Sequence, residues 1–415
     1  MNKENLNRIK VAVLSYGFLD WGGGIDFLKT LIYALVNRKN KFETYVFIPS
    51  KPLRFKNKLL EKNTRSIFKI INKYNFIMEE LQKRQFNDVR NSVKFVFYDD
   101  MNLAEKVKEN KIDVVFPAFG VWGITEDFKT PWVGYLYDCQ HKYFPDYFDE
   151  DEIIRRDEFF NSILNQTKSI VVNSKAAKQD YIKFYGAGEE QIFNLPFAPL
   201  LQKSWLKNNP DIIKKYKLPD KYFIISNQFW MHKSHITAFK ALKTLKDKGY
   251  ENIKIVCTGK MEDPRNPDYI NGLKIYIREN NLEENIIFLG YIDKRDQIQV
   301  MKNAVATIQP TLFEGGPGGG AVFNSLALGV PVILSDIPIN KEISPEENVL
   351  FFKAQDSEDL SEKIITIINK EVIFKKYTVI ELTEKSQKHL NNLSDKIEEI
   401  IQKALEVKDV QISAL

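Results

Sequence analysis

The stretch Thr311–Asp336, TLFEGGPGGGAVFNSLALGVPVILSD, holds three pieces in a fixed order. Glu314 leads a turn in which five of the next six residues are glycine. An apolar run of helical character follows, and then VPVILSD, whose β-branched residues read as a buried strand. Glycines ahead of a helix let backbone come close to a ligand, and the helix N-terminus favours negative charge. The stretch therefore predicts an α/β sheet that holds an anionic ligand at one edge.

The same grammar extends outward. YFIISN, IKIVCTG, IIFLGYI and ATIQP read as strands upstream, with helical stretches between them. The N-terminal half opens on KVAVLSYG (Lys10–Gly17), a buried-strand pattern. A glycine turn and amphipathic helix, GGGIDFLKTLIYALVNR, and a second strand, FETYVFIPS, follow it. VKFVFYD, DVVFPAF, WVGYLYD and SIVVNS continue the strands, and KAAKQDYIKFYG is a helix ending at Gly186. This β-α-β alternation predicts parallel sheets with helices on both faces. Between Leu195 and Pro219 it breaks, with four prolines and weak periodicity. The expectation is two Rossmann-like domains, over residues 1–200 and 201–384. A charged helix over about 385–415, with Leu393, Ile397, Ile400, Ile401 and Leu405 at helical spacing, is expected to pack back on the first.

The 415-residue length suits two cores better than one. Hydrophobic residues at 44% and charged residues at 28% are globular usage. A net charge of +5 is small for this length and does not mark a nucleic-acid partner. Cys139 and Cys257 are far apart and read as buried free thiols, which suits a cytoplasmic protein. No apolar run reaches the ~18 residues of a membrane span. Between Lys51 and Lys94, however, twelve Lys/Arg face four Asp/Glu, with bulky apolar residues interleaved. Besides a solvated helix with one core face, that stretch reads as a docking surface for an anionic membrane or a lipid-linked diphosphate.

Two glycine loops are the chemical candidates: Gly22, Gly23 and Gly24 after the first strand, and Gly315, Gly316, Gly318, Gly319 and Gly320 after Glu314. Neither ends in the Gly-Lys-Ser/Thr of a P-loop, and GGGIDF lacks the third glycine of a dinucleotide fingerprint. The histidines are not spaced with cysteines as metal ligands, and the lone D-x-D, Asp149–Asp151, sits in an acidic run that reads as a helix start.

PTLFEGGPGGGAVFNSLALGVPVILSDIPINKEI resembles the donor-site motif of family 4 retaining glycosyltransferases, of the group 1 glycosyltransferase type. The usual motif is E-x7-E followed by G-x-P-V-I. Glu314 matches its first glutamate and ALGVPVI its tail, but Asn324 stands where the second glutamate belongs, ten residues on rather than eight. NQFWMHKSHITAFKAL resembles the turn where Arg and Lys grip a diphosphate; Lys233 holds the lysine position and Gln228 that of the arginine. YDCQHKYFPDYF resembles a first-domain segment that borders the reacting sugar through Asp138 and His141. Scattered matches run from residue 8 to residue 370.

The resemblance implies a GT-B fold, two Rossmann-like domains with a cleft between them. It also implies hexosyl transfer from a nucleotide-sugar donor to a glycan or lipid-linked acceptor, as in surface polysaccharide or glycan assembly. No cofactor is implied, and Lys233 and loop amides would neutralise the diphosphate without a metal. Glu314 would orient sugar hydroxyls, Asn324 would meet the ribose, and Asp138 and His141 would face the acceptor side. The uncharged Gln228 and Asn324 motivate the rival expectation, a catalytically degenerate GT-B protein serving as a nucleotide-binding or scaffold subunit.

Overall fold

The computed structural model describes residues 8–20, 22–50, 80, 83–84, 86–99, 101–125, 128–344 and 346–413. Among them run two all-parallel sheets. The first holds β1 (Ile9–Leu14), β2 (Phe42–Pro49), β3 (Lys94–Tyr98), β4 (Val114–Ala118), β5 (Trp132–Tyr135), β6 (Ile170–Val172) and β7 (Ile192–Asn194), in the order β3-β2-β1-β4-β5-β6-β7. The second holds β8 (Phe223–Ser226), β9 (Ile255–Thr258), β10 (Ile286–Gly290), β11 (Ala306–Gln309), β12 (Val332–Ser335) and β13 (Val349–Phe352), in the order β10-β9-β8-β11-β12-β13.

The helices that cover the first sheet are α1 (Gly22–Asn37), α2 (Leu103–Glu109), α3 (Gln140–Tyr143), α4 (Glu150–Gln166) and α5 (Lys175–Tyr185). Those of the second are α6 (Asp211–Lys215), α7 (His235–Asp247), α8 (Tyr269–Glu279), α9 (Lys294–Lys302), α10 (Gly319–Ala327) and α11 (Ser357–Ile368), and α12 (Val379–Ser413) ends the chain. Helices on both faces explain why strands such as IKVAVL and FIIS are near-continuous apolar runs: Val11, Ala12, Val13, Ile224 and Ile225 are fully buried. Both cysteines are buried and free.

The last helix returns to the first sheet. Leu393, Ile397, Ile400 and Ile401 join one core cluster with Leu28, Leu31, Ile32 and Leu35 of α1. Each such burial is worth about 1.5–3 kcal/mol. Ser394 Oγ donates to the Ala34 carbonyl at 3.0 Å, and Arg38 pairs with Asp395 at 2.5 Å.

In both sheets the strand order reverses once, between β1 and β4 and between β8 and β11. Loops leaving the carboxyl ends of such neighbours diverge and open a crevice. The loop after β1 leads to Gly22–Gly24, that after β8 to Lys233, and that after β11 to Glu314.

Most of the basic stretch from Lys51 to Lys94 lies outside the described residues. Of its described part, Lys83 and Arg90 pair with Glu80 at 2.9 and 3.2 Å, and Lys94 pairs with Glu43 at 2.5 Å. Among the described residues no helix is long and apolar enough to cross a membrane.

Candidate active site

Lys233 ends a 3₁₀ turn, Met231–Lys233, and Ser234 in the left-handed region (φ 49°) turns the chain into α7. The His232 carbonyl accepts the Leu312 amide at 2.7 Å, which straps the Lys233 turn to the Glu314 loop. Lys233 Nζ then donates to Glu314 Oε1 at 2.6 Å, and Gln309 Nε2 donates to the same oxygen at 2.9 Å. Gln309 also reaches the Gly318 carbonyl at 3.0 Å and is itself held by Asn227. The ion pair is almost buried, with side-chain exposures of 13% and 7%. A pair so desolvated holds only when further hydrogen bonds support it, and Gln309 supplies one.

Glu314 Oε2 is turned toward Gly319, where a Cβ would come within 2.8 Å of it. Gly318 and Gly319 have φ near +65°, and a Cβ at Gly318 would lie 2.5 Å from Val322. Only glycine takes that conformation with that neighbour. Gly315 and Gly316 instead face the first domain, where added Cβ atoms would lie 3.3 Å from Asp138 and 3.2 Å from Asn173. Gly320 is exposed in the first turn of α10, with nothing within 4 Å of an added Cβ. Together they make an open, positively polarised helix start beside a buried carboxylate-ammonium pair.

Asn324 lies further along α10, half-buried; among the described residues no contact joins its side chain to the Glu314 cluster. Gln228 Oε1 accepts the Lys260 amide at 2.9 Å, so this side chain ties the loop after β8 to the loop after β9. In the first domain, Asp138 faces Gly315, accepts the Gln140 amide at 3.1 Å and lies 3.9 Å from Arg156. His141 is turned away into the domain: its fully buried ring lies 3.0 Å from both Asp157 and the Tyr185 hydroxyl through Nε2. Gly22, Gly23 and Gly24 form the first turn of α1, and Asp26 one turn on pairs with Lys294 of α9 at 2.8 Å. Asp149 caps α4 by accepting the Glu152 amide at 2.7 Å, as its acidic run suggests.

Two contributors escape a reading of motifs. Arg265, in the loop after β9, donates to Gln140 Oε1 of the first domain at 3.3 Å and stacks over Phe148 (4.8 Å) and Trp230 (5.4 Å). Glu342 reaches α5 of the first domain. Being single charged residues in polar loops, they carry no spacing signal.

Three buried histidines make stability pH-dependent. Burial holds the imidazoles of His141, His232 and His235 below their ordinary value; Asp157 partly opposes this at His141, and Lys233 adds to it at the other two. His235 is pushed down to about 3. A base depressed in the fold binds fewer protons than in the unfolded chain. Stability is thus full above the unfolded value of about 6.5 and falls below it, by up to roughly 1.4 kcal/mol per pH unit for each group. The melting temperature is expected to drop steadily between about pH 6.5 and 5. His235→Phe, which keeps the 4.0 Å stack on Phe229, should shallow that slope by about one proton. An unchanged slope in melts at constant ionic strength would rule this out.

Residues 208–389 match the family model described as Glycosyl transferases group 1. No curated protein matches the chain in sequence. Solved structures match nearly end to end. A glycosyltransferase from Rickettsia africae has a TM-score of 0.60 at 15% identity, covering 97% of this chain and 98% of its own. Sucrose-phosphate synthase from Thermosynechococcus elongatus has 0.58 at 15%, covering 98% and 100%. Anabaena HepE in complex with UDP and glucose has 0.57 at 14%, covering 98% and 100%. The fold is GT-B.

Proposed function

We propose that the chain is a retaining glycosyltransferase. It moves a hexosyl group from a nucleotide sugar on the second domain (201–384) to a glycan or lipid-linked acceptor on the first (1–200). The observation that carries this reading is the Lys233–Glu314 pair at the β8/β11 crevice, beside the glycine-lined start of α10. The family match over the same domain and the nucleotide and sugar named for the Anabaena structure support it.

The chemistry follows from charge. As the glycosidic bond breaks, negative charge grows on the departing diphosphate. In this reading Lys233 and the start of α10 stabilise it. This reading gives that neutralisation to Lys233 and backbone, so turnover without added metal is expected. Glu314 holds Lys233 through Oε1 and offers Oε2 to sugar hydroxyls, fixing the donor's orientation. Asp138, against Gly315 across the cleft, stands on the acceptor side, and His141 supports that wall through Asp157. The departing phosphate takes the acceptor proton, so a glycosidase-like carboxylate pair is not needed. The basic stretch 51–94 is assigned to a lipid-linked acceptor or the cytoplasmic membrane face that carries it.

A second reading, a nucleotide-binding protein without turnover, is favoured by one observation: the Gln228 oxygen is committed to Lys260. Thermal melts against a panel of nucleotides and nucleotide sugars, followed by product analysis, separate the two. A ligand at 100 times its dissociation constant should add about 2.7 kcal/mol. A shift with sugar transfer supports the transferase, a shift without it the second reading, and no shift overturns both.

A further inference from the structure

Beyond β12 the chain makes a single 3₁₀ turn, Asn340–Glu342, that belongs to the second domain yet touches both sides of the cleft. Glu342 spreads its carboxylate over two backbone amides of the first domain. Oε2 accepts from Lys175 N at 2.9 Å and Oε1 from Ala176 N at 2.8 Å. These are the opening amides of α5, which lack partners within the helix and carry the positive end of its dipole. Ser174 takes the next, Ala177 N, at 3.0 Å. Among the described residues, the amides of Lys175 and Ala176 thus find their acceptor across the cleft, while the domains are together.

Two residues earlier, fully buried Asn340 accepts the Gly318 amide through Oδ1 at 2.8 Å. Its Nδ2 donates to the Ser335 carbonyl at 2.9 Å and to Ser335 Oγ at 3.2 Å, which fixes the carboxamide. Lys341 between them pairs with Asp336 at 3.2 Å. The landing place is shared as well. Asn173 lies against Gly316, Ser174 Oγ approaches the Gly315 carbonyl at 3.5 Å, and the next two amides meet Glu342.

We propose that Asn340 and Glu342 are positioning residues that couple the glycine loop to closure of the cleft. Glu342 latches the first domain, and Asn340 ties that latch to the Gly318 turn. A ligand that orders the loop therefore also places Glu342 for the α5 amides, and opening the domains loosens the loop. Charge-assisted bonds to two amides make this latch stronger than the exposed Lys294–Asp26 pair across the same cleft. The inference rests on the proposed donor site for its purpose, though not for its geometry.

The test is the distance between spin labels on exposed positions of α4 and α8 in the full chain. It is measured alone and with UDP or GDP, whichever raises the wild-type melting temperature more. Glu342→Ala is expected to shift the distances outward without nucleotide, and to raise the nucleotide concentration needed for closure on the order of 10-fold. Glu342→Gln, which keeps one acceptor oxygen, should fall between. Lys175→Pro deletes one amide donor at the first helical position, where proline is accepted. Ser174 before it is already extended (φ −160°, ψ 160°), as a residue preceding proline must be. It should act in the same direction, keeping the test open if a Glu342 variant folds poorly. Asn340→Ala with Glu342→Ala should cost less than the product of the two single effects. Unchanged distances in Glu342→Ala and Lys175→Pro would overturn the latch, and simply multiplicative single effects would overturn the coupling. Failure of the donor-site reading is distinct: wild type would bind neither nucleotide, while the ligand-free comparison still reports on the latch.

Discussion

Glu314→Gln is expected to cut sugar transfer by about 10²–10³-fold. The chain should still fold, at a lower melting temperature, because the nearly buried Lys233 ammonium keeps one acceptor but loses its counter-charge. The argument rests on what each oxygen does. Oε1 is committed to Lys233 and Gln309, while Oε2 faces Gly319. Glutamine keeps the shape and one acceptor, so loop and strand stay packed, but an amide N–H₂ cannot accept a sugar hydroxyl and removes the charge opposite Lys233. The proposed reading has these hydroxyl contacts orient the reacting carbon, so the loss should fall mainly on kcat, with nucleotide affinity changing little. Steady-state kinetics with titration by the nucleotide alone checks this. A variant with unchanged kcat, or one that lost nucleotide binding as heavily as turnover, would remove Glu314 from sugar positioning.

Lys233→Met carries the second large effect, and it acts on stability as well as on the donor. Removing one partner of a nearly buried pair leaves the Glu314 carboxylate with Gln309 as its remaining hydrogen-bond donor. Orphaned buried charges of this kind cost about 3–5 kcal/mol; the small residual exposure places this one toward the lower figure. Donor affinity should fall as well, because the proposed reading gives the diphosphate's charge to this ammonium and to the start of α10. The double variant Lys233→Met with Glu314→Gln separates the effects. It should recover most of the lost melting temperature, since no buried charge remains, and none of the transfer activity. If Lys233→Met melts within a degree of wild type and binds nucleotide as well, the pair supports neither the fold nor the donor, and the donor site lies elsewhere.

The residues differ in how openly the sequence displays them. Glu314 and Lys233 could be picked out because each sits in a loop whose shape is locally encoded. Five glycines follow one, and the other lies between the end of a strand and an amphipathic helix. Gln228, standing where a cation was expected, gave no hint that Lys260 N would take its oxygen. His141 was chosen through the resemblance of its segment alone, and that resemblance did not tell that Asp157 and Tyr185, 16 and 44 residues away, would hold its ring. Asn324 was placed by counting along a loop two residues longer than the usual motif, and counting does not say which way a helical side chain turns.

What the chain by itself determined is the ordering of elements. Alternating apolar runs, glycine turns and amphipathic helices specify two parallel sheets, since backbone hydrogen bonding and burial at periods of 2 and 3.6 residues are local constraints. The terminal helix was equally readable from its apolar stripe. Its return to the first domain was expected from the sequence too, and its apolar stripe joins that domain's core. Only the tertiary structure decided that Arg265 would stack against Phe148 and that Glu342 would meet the amides of α5. Such contacts join residues more than a hundred positions apart. Their energies depend on distance, direction and exclusion of water, and a linear sequence states none of these.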